Sequence, residues 1–316
     1  MATKKCLVTG GAGFIGSNLV GALLDKGWEV IAYDNLSTGS TKFLEDFMND
    51  DRFKFIKGDI LDAENMCKAL DGVDVVFHLA ANPDVRLGAK NPKVDLEQGI
   101  IGTHRVLEAM RTAGVGEIVF SSSSTVYGEA RVIPTPEDYG PLIPISMYGA
   151  AKLAAEALIS AYAHTFGFRV WIFRFANIIG RHGTHGVIVD FIRKLRANKS
   201  ELEILGDGRQ RKSYLLVDDC VEGMLYGYEK SKESVNIYNL GSGDYVDVIT
   251  IANIVCEEMG LSDVKYRFTG GDRGWKGDIP VMLLDISKIK KLGWKPKFNS
   301  ADAVRIATRI LLEEGV

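Results

Sequence analysis

The chain has 316 residues, 46% of them hydrophobic, and a formal net charge of −3. That length allows one large α/β domain with a smaller appendage, and it can bury a sizeable core. The near-neutral charge argues against nucleic acid or an anionic membrane surface as partner, and no apolar run approaches membrane-spanning length. Four cysteines (Cys6, Cys67, Cys220, Cys256) lack Cys-x-x-Cys spacing, and three lie in apolar stretches, so they read as buried thiols of a reducing cytosol. Met1–Lys5 runs straight into an apolar strand without a signal-peptide pattern, and the expected location is cytoplasmic.

Cys6-Leu7-Val8 leads into Thr9-Gly10-Gly11-Ala12-Gly13-Phe14-Ile15-Gly16, after which Ser17–Lys26 reads as a helix. Gly10, Gly13 and Gly16 suit a tight turn, a close approach of backbone to pyrophosphate, and close helix–strand packing. The phosphates then sit on free N–H groups at the helix start. Trp28–Tyr33 is a second strand ending at Asp34-Asn35, where a carboxylate accepts both ribose hydroxyls of NAD and repels the 2′-phosphate of NADP. Glycines alone are a weak signal, but strand, glycine turn, helix, strand and acid in this order point to dinucleotide binding.

Phe53–Lys57, Val73–Leu79 and Glu117–Phe120 read as further strands, with a helix at Asp62–Leu70 and a long helix at Asn91–Thr112. This alternation predicts a doubly wound parallel sheet with its ligand at the strands' carboxyl ends. Ser121-Ser122-Ser123-Ser124-Thr125-Val126-Tyr127-Gly128 follows one such end. Tyr148 and Lys152 stand four apart at the start of a helix over 147–166, so both project from one face. A free tyrosine has a pKa of about 10. An adjacent ammonium is expected to lower it, so that Tyr148 exchanges a proton with a substrate hydroxyl. Taken alone, Tyr-x-x-x-Lys is an ordinary surface pair; the nucleotide-binding pattern upstream gives it weight. Arg169–Phe175 is a last strand before the pattern loosens.

Thr9–Gly16, Asp34–Ser37, Phe77-His78-Leu79-Ala80-Ala81, Ser121–Gly128 and Tyr148–Lys152 together resemble the extended short-chain dehydrogenase/reductase family, and within it the UDP-glucose (UDP-galactose) 4-epimerases. The resemblance covers nearly the whole chain. It implies a Rossmann-type sheet in residues 1–176 binding NAD, and a smaller C-terminal lobe in 177–316 mainly binding a UDP-sugar, with segments interleaved. By resemblance, Phe14, Ile15, Asn35, Asp59, Ile60, Leu79, Ala80, Ala81 and Ser121 join the glycines, Asp34, Tyr148 and Lys152 around the cofactor. Ser123, Tyr148 and Lys152 are the implied catalytic trio. Val85, Asn177, Lys212, Arg273, Asp278 and Met282 join Ser123 and Tyr148 around the substrate. Whether Arg211 or Lys212 meets the diphosphate stays open, because the family's arginine is here replaced by lysine, a point charge and not a bidentate fork.

Gly99 is another departure, standing where the family usually has asparagine, and a mid-helix glycine costs up to about 1 kcal/mol relative to alanine. The helices over 91–112 and 147–166 are the implied homodimer faces. His182 and His185 sit in a glycine-rich stretch without an accompanying Cys or acid cluster, which reads as a loop and not a metal site. Related 4,6-dehydratases carry Asp-Glu where this chain has Ser124-Thr125, so the resemblance favours reversible oxidation at one carbon. UDP-glucose/UDP-galactose is the expected pair. Epimerisation of UDP-N-acetylglucosamine or UDP-glucuronate, and a net NAD-dependent dehydrogenase, are the alternatives.

Overall fold

The computed structural model describes residues 3–275 and 277–316; Met1 and Ala2 of the leader reading, and Lys276 of the basic loop near Arg273, lie outside the described residues. By contacts the chain divides into two compact units: residues 1–128, 140–174 and 224–238, and residues 129–139, 175–223 and 239–316. Segments 129–139 and 224–238 therefore cross the simple division at 176.

The first unit is built on strands β1 (Lys5–Thr9), β2 (Glu29–Asp34), β3 (Phe53–Lys57), β4 (Val75–His78), β5 (Glu117–Ser123) and β6 (Arg169–Phe175). With Val235–Leu240 they form a seven-stranded sheet ordered β3-β2-β1-β4-β5-β6 and then Val235–Leu240. The pairs β1–β2, β1–β4, β2–β3 and β4–β5 are parallel. Parallel strands covered on both faces need apolar side chains at successive positions, not alternate ones. Accordingly every residue of β4 is buried, as is all of β6 beyond Arg169. Leu7, Val76, Ile118, Phe120 and Ile172 pack beneath Val106 and Met110 of the helix Gly102–Ala113 and Ile159 of the helix Met147–Phe166. Order reverses between β1 and β4, so the carboxyl ends of those two strands flank the crevice expected of such a sheet.

Met147–Phe166 spans the residues predicted for it, and its end signals are local. Ser146 caps the start by accepting from the Gly149 amide at 3.0 Å, and Gly167, at φ 74°, closes the other end in the left-handed region. The expected helix over 91–112 is composite. A short turn Pro92–Val94 runs into a π-helical stretch Asp95–Ile101 and then the α-helix Gly102–Ala113. Gly99 lies in the π stretch, where a Cβ would come 2.8 Å from the Ala151 Cβ of the Tyr148 helix. The missing side chain lets the two helices touch, which accounts for a glycine that helix propensity disfavours.

The second unit has its own core, where Phe191, Ile251, Val255 and Val304 come from the helices Val187–Ala197, Val248–Glu258 and Ser300–Glu313. Asn177–Ile179 pairs with Tyr214–Leu216, and Arg211–Lys212 lies between Val246–Asp247 and Val281–Met282. Among the described residues no helix is long and apolar enough to cross a membrane.

Gly99→Ala tests the contact between the helices. Propensity favours alanine by up to about 1 kcal/mol, whereas overpacking typically costs ~1–3 kcal/mol. The variant is expected to lower the urea midpoint of unfolding; an unchanged or raised midpoint would show that the helices separate freely.

Candidate active site

The chain leaves β1 at Thr9 and turns at Gly10, whose φ of +69° is open to glycine and strained for other residues. A Cβ on Gly10 would sit 2.9 Å from the Ala80 nitrogen, and one on Gly16 only 2.0 Å from the Gly10 carbonyl oxygen. The turn therefore presses bare backbone against the end of β4. The helix Phe14–Asp25 starts three residues earlier than Ser17, because Phe14 and Ile15 belong to its first turn as well as to the glycine pattern. Gly13 caps it without a side-chain bond, leaving backbone N–H groups for an anion.

Asp34, at the end of β2, accepts from the Ala12 amide at 3.0 Å and the Leu36 amide at 2.8 Å, which ties the acid to the glycine turn. Two carboxylate oxygens offer about four acceptor positions, so capacity remains for ribose hydroxyls. Burial raises the Asp34 pKa, opposed by those two amides. Asn35 donates to Asp59 at 2.9 Å, and Asp59 also accepts from the Leu61 amide. Ile60 beside it is buried, and Leu79, Ala80 and Ala81 follow β4. The cofactor candidates thus gather at the carboxyl ends of β1 to β4, and their bare-backbone cradle fits a dinucleotide.

Beneath the cradle runs a buried polar chain that the sequence did not disclose. Thr103 donates to the Gly99 carbonyl at 2.6 Å, so its oxygen accepts from His78 Nε2 at 3.0 Å. That assignment leaves His78 Nδ1 to accept from the Thr9 hydroxyl at 2.7 Å, whose oxygen takes the Leu79 and Ala80 amides. Burial, reinforced by the Lys152 charge, pushes the His78 pKa down to about 3 and keeps the ring neutral.

Ser123, Tyr148 and Lys152 come together over the end of β5. Tyr148 is hydrogen-bonded to Ser123, and Lys152 Nζ donates to the Ser121 carbonyl at 2.6 Å. The same ammonium lies 4.7 Å from the Phe120 ring centroid and 5.8 Å from that of Tyr148. The expected lowering of the tyrosine pKa is not what these residues produce. Burial, with the Asp95 carboxylate adding, pushes Tyr148 up to about 12 against the Ser123 bond. Lys152 is pulled down to about 8 by burial, opposed by Glu156 and Asp95. Sequence reasoning weighed the neighbouring charge and left out desolvation.

Asp95 itself was missed. It opens the π stretch, accepts from Asn82 Nδ2 at 3.0 Å, and its Oδ2 is buried without a partner, which raises its pKa mainly through burial. Asn82 also accepts from the Asp84 amide and so shapes the turn leading to Val85, which is half-buried.

The other substrate candidates lie in the second unit. Asn177 donates through Nδ2 to the Ser213 carbonyl at 3.1 Å. Along Arg211–Lys212 side chains alternate: Arg211 is exposed beside the Tyr245 ring, whereas Lys212 forms an ion pair with Asp278. Asp278 also accepts from the Gly274 amide at 3.0 Å, and its carbonyl accepts from Arg273 at 3.2 Å. Arg273 further pairs with Glu129 at 2.5 Å. Met282 is the register partner of Lys212 and is buried. Lys212, Arg273, Asp278 and Met282 therefore form one neighbourhood, with Arg211 on the opposite face of its strand. Among the described residues no cluster of three or more His, Cys, Asp or Glu side chains could hold a metal ion.

A glycine-turn dinucleotide cradle beside a Ser–Tyr–Lys trio defines a nucleotide-dependent enzyme of the short-chain dehydrogenase/reductase type. The chain belongs to the NAD dependent epimerase/dehydratase family, whose profile matches residues 6–241. It is 33% identical over 312 residues to a UDP-glucose 4-epimerase of Mycolicibacterium smegmatis, covering 95% of this chain and 96% of that one. A crystal structure of a UDP-galactose 4-epimerase is 43% identical, with TM-score 0.88 over 98% of this chain and 99% of that chain. The UDP-glucuronic acid 4-epimerase of Bacillus cereus, in complex with UDP-glucuronic acid and NAD, is 29% identical with TM-score 0.89 over 98% and 99%. NAD is the cofactor, and the cradle residues above are those that would hold it.

Because Asp34 places a carboxylate at the end of β2, calorimetry is expected to give tighter binding of NAD than of NADP. Asp34→Ser should narrow that gap by at least ~10-fold. Equal affinities in the parent protein would remove Asp34 from the cofactor's ribose.

Proposed function

We propose that the chain is a UDP-glucose 4-epimerase, interconverting UDP-glucose and UDP-galactose through a 4-keto sugar. One observation carries this reading: Ser123 and Tyr148 are hydrogen-bonded at the end of β5, while the turn that follows presents Ser124 and Thr125, hydroxyl groups in place of an acid pair. Elimination of water needs a further acid and base, whereas reversible oxidation at one carbon needs only the trio.

Bound NAD supplies reversible hydride transfer at the sugar C4. Tyr148 takes the 4-hydroxyl proton as general base and returns it as general acid after the sugar presents its other face. Ser123 hydrogen-bonds the same oxygen, and Lys152 supports the nicotinamide ribose. Lys212 and Arg273 supply positive charge for the diphosphate, with Lys212 preferred over Arg211 because it lies beside Asp278. Asp278 takes the uridine ribose, Met282 limits the C2 substituent, and Asn177 and Val85 are further candidates for substrate contact. The cytoplasm is the proposed location.

A panel of UDP-sugars with products read by NMR tests the assignment. UDP-galactose is expected to turn over fastest, with weaker turnover of the N-acetyl pair, since Met282 is large but flexible. Tyr148→Phe should lower turnover by at least ~100-fold, the scale of losing a general base, while UDP-sugar binding stays nearly intact. Met282→Ser should raise activity on UDP-N-acetylglucosamine and Met282→Tyr suppress it. Stoichiometric NADH release, a dominant uronate activity, or an active Tyr148→Phe would each refute the assignment.

The proposal includes a homodimer through the helices over 91–112 and 147–166. It is supported by the exposed apolar side chains Leu96, Ile101, Met147 and Phe166 on those segments. Light scattering is expected to give twice the chain mass, and Leu96→Glu with Phe166→Glu to give the monomer; a monomeric parent protein would end this reading.

A further inference from the structure

Tyr148, Lys152 and Glu156 stand at four-residue spacing on one helix, and each meets one of three consecutive serines at the end of β5. Tyr148 bonds Ser123, Lys152 donates to the Ser121 carbonyl, and the Ser122 hydroxyl donates to Glu156 Oε1. Glu156 and Arg174 are 5% and 3% exposed, and they form a bidentate pair with Nη2···Oε2 at 2.7 Å and Nε···Oε1 at 3.0 Å. Arg174 also donates to the Tyr127 hydroxyl at 2.9 Å, with its guanidinium 4.8 Å from that ring centroid. Tyr127 closes the 3₁₀ turn Ser124–Tyr127 that begins directly after Ser123. One ion pair thus joins the Tyr148 helix, the serine run, the turn after it and β6.

Stability alone does not account for such a pair. Two charges removed from water gain little over well-packed apolar residues, although losing one partner leaves the other buried and unpaired. We propose that Glu156 and Arg174 are positioning residues that fix the Tyr148 helix in register on the serine run, so that Ser123, Tyr148 and Lys152 meet in working geometry. This rests on reading those three as the catalytic trio.

An electrostatic consequence follows from the same contacts. The charged or titratable groups facing Lys152 are Glu156 and Tyr148 on its own helix, Asp95 from the π stretch and the neutral His78 from β4, with Arg174 on β6 beyond Glu156. Glu156 and Asp95 favour the charged lysine against burial. Removing the Glu156 charge therefore moves the Lys152 titration to lower pH, and the ammonium is lost earlier as pH rises.

Three variants test the proposal. Glu156→Gln keeps the shape of the side chain and an acceptor for Ser122. It is expected to lower kcat by at least ~10-fold with little change in KM. The Lys152 titration, followed by NMR of its ¹³C-labelled side chain, should fall by about one pH unit. The double variant Glu156→Leu/Arg174→Met removes both charges. It is expected to recover most of the thermal midpoint lost in Arg174→Met alone, but not the kcat. A double variant that recovers both, or a Glu156→Gln protein with unchanged kcat and Lys152 titration, would reduce the pair to packing and overturn the proposal. Should the double variant fail to fold, Glu156→Gln decides. The titration requires no substrate, so a parent protein inactive on every UDP-sugar would refute the epimerase reading while leaving this test readable.

Discussion

A buried ammonium sets the terms for the first unit. Lys152 is withdrawn from water, and desolvation of such an ion costs several kcal/mol even after relaxation. The surroundings offset that cost by separate means: the Ser121 carbonyl accepts at 2.6 Å, the Phe120 ring lies under the charge, and two carboxylates face it from different elements. His78, within reach of the same charge, stays neutral because burial, reinforced by that charge, disfavours its cation, and its two nitrogens bond Thr103 and Thr9. A protonated ring would lose the Thr9 bond and add a second buried cation. The polar chain from Gly99 to Ala80 and the charge balance around Lys152 are therefore parts of one arrangement.

Much of this was legible in the sequence because its signals are local. Gly10, Gly13 and Gly16 mark a turn that only bare backbone can make, and Ser146 and Gly167 mark the ends of the Tyr148 helix. Continuous apolar runs at Val75–Phe77 and Val170–Phe173 give the parallel strands away. Lys152 and Tyr148 announce themselves by spacing. Glu156 carries the same spacing one turn further on, and extending the four-residue count would have found it. Arg174 had no such signal, since its partner Glu156 lies 18 residues away on a different element and nothing in the apolar run around it points to that helix. Asp95 was hidden as well: acids on a helix usually face water, and the fold alone turns this one inward.

Errors concentrated where two elements meet. The expected long helix over 91–112 is interrupted by a π stretch, in which Gly99 rides on Ala151. π-helical turns are rare and cluster at functional sites. Here the stretch begins at Asp95, whose carboxylate then faces the trio. A regular α-helix over the same residues would rotate the positions beyond it by about 100° per residue displaced. The irregularity is thus what lets one helix present an acid to the site and Thr103 to His78.

The tyrosine shows why counting charges was insufficient. One ammonium nearby favours a phenolate, but Lys152 spends its proton on Ser121, and burial together with Asp95 outweighs the Ser123 bond. The protein's own residues therefore hold Tyr148 as a neutral phenol, a donor to the substrate oxygen as readily as an acceptor from it. Acceptance is favoured by added positive charge nearby, which a bound oxidised nicotinamide would supply. The trio is built with its acid form at rest, and desolvation of the tyrosine is the largest contribution to that resting state.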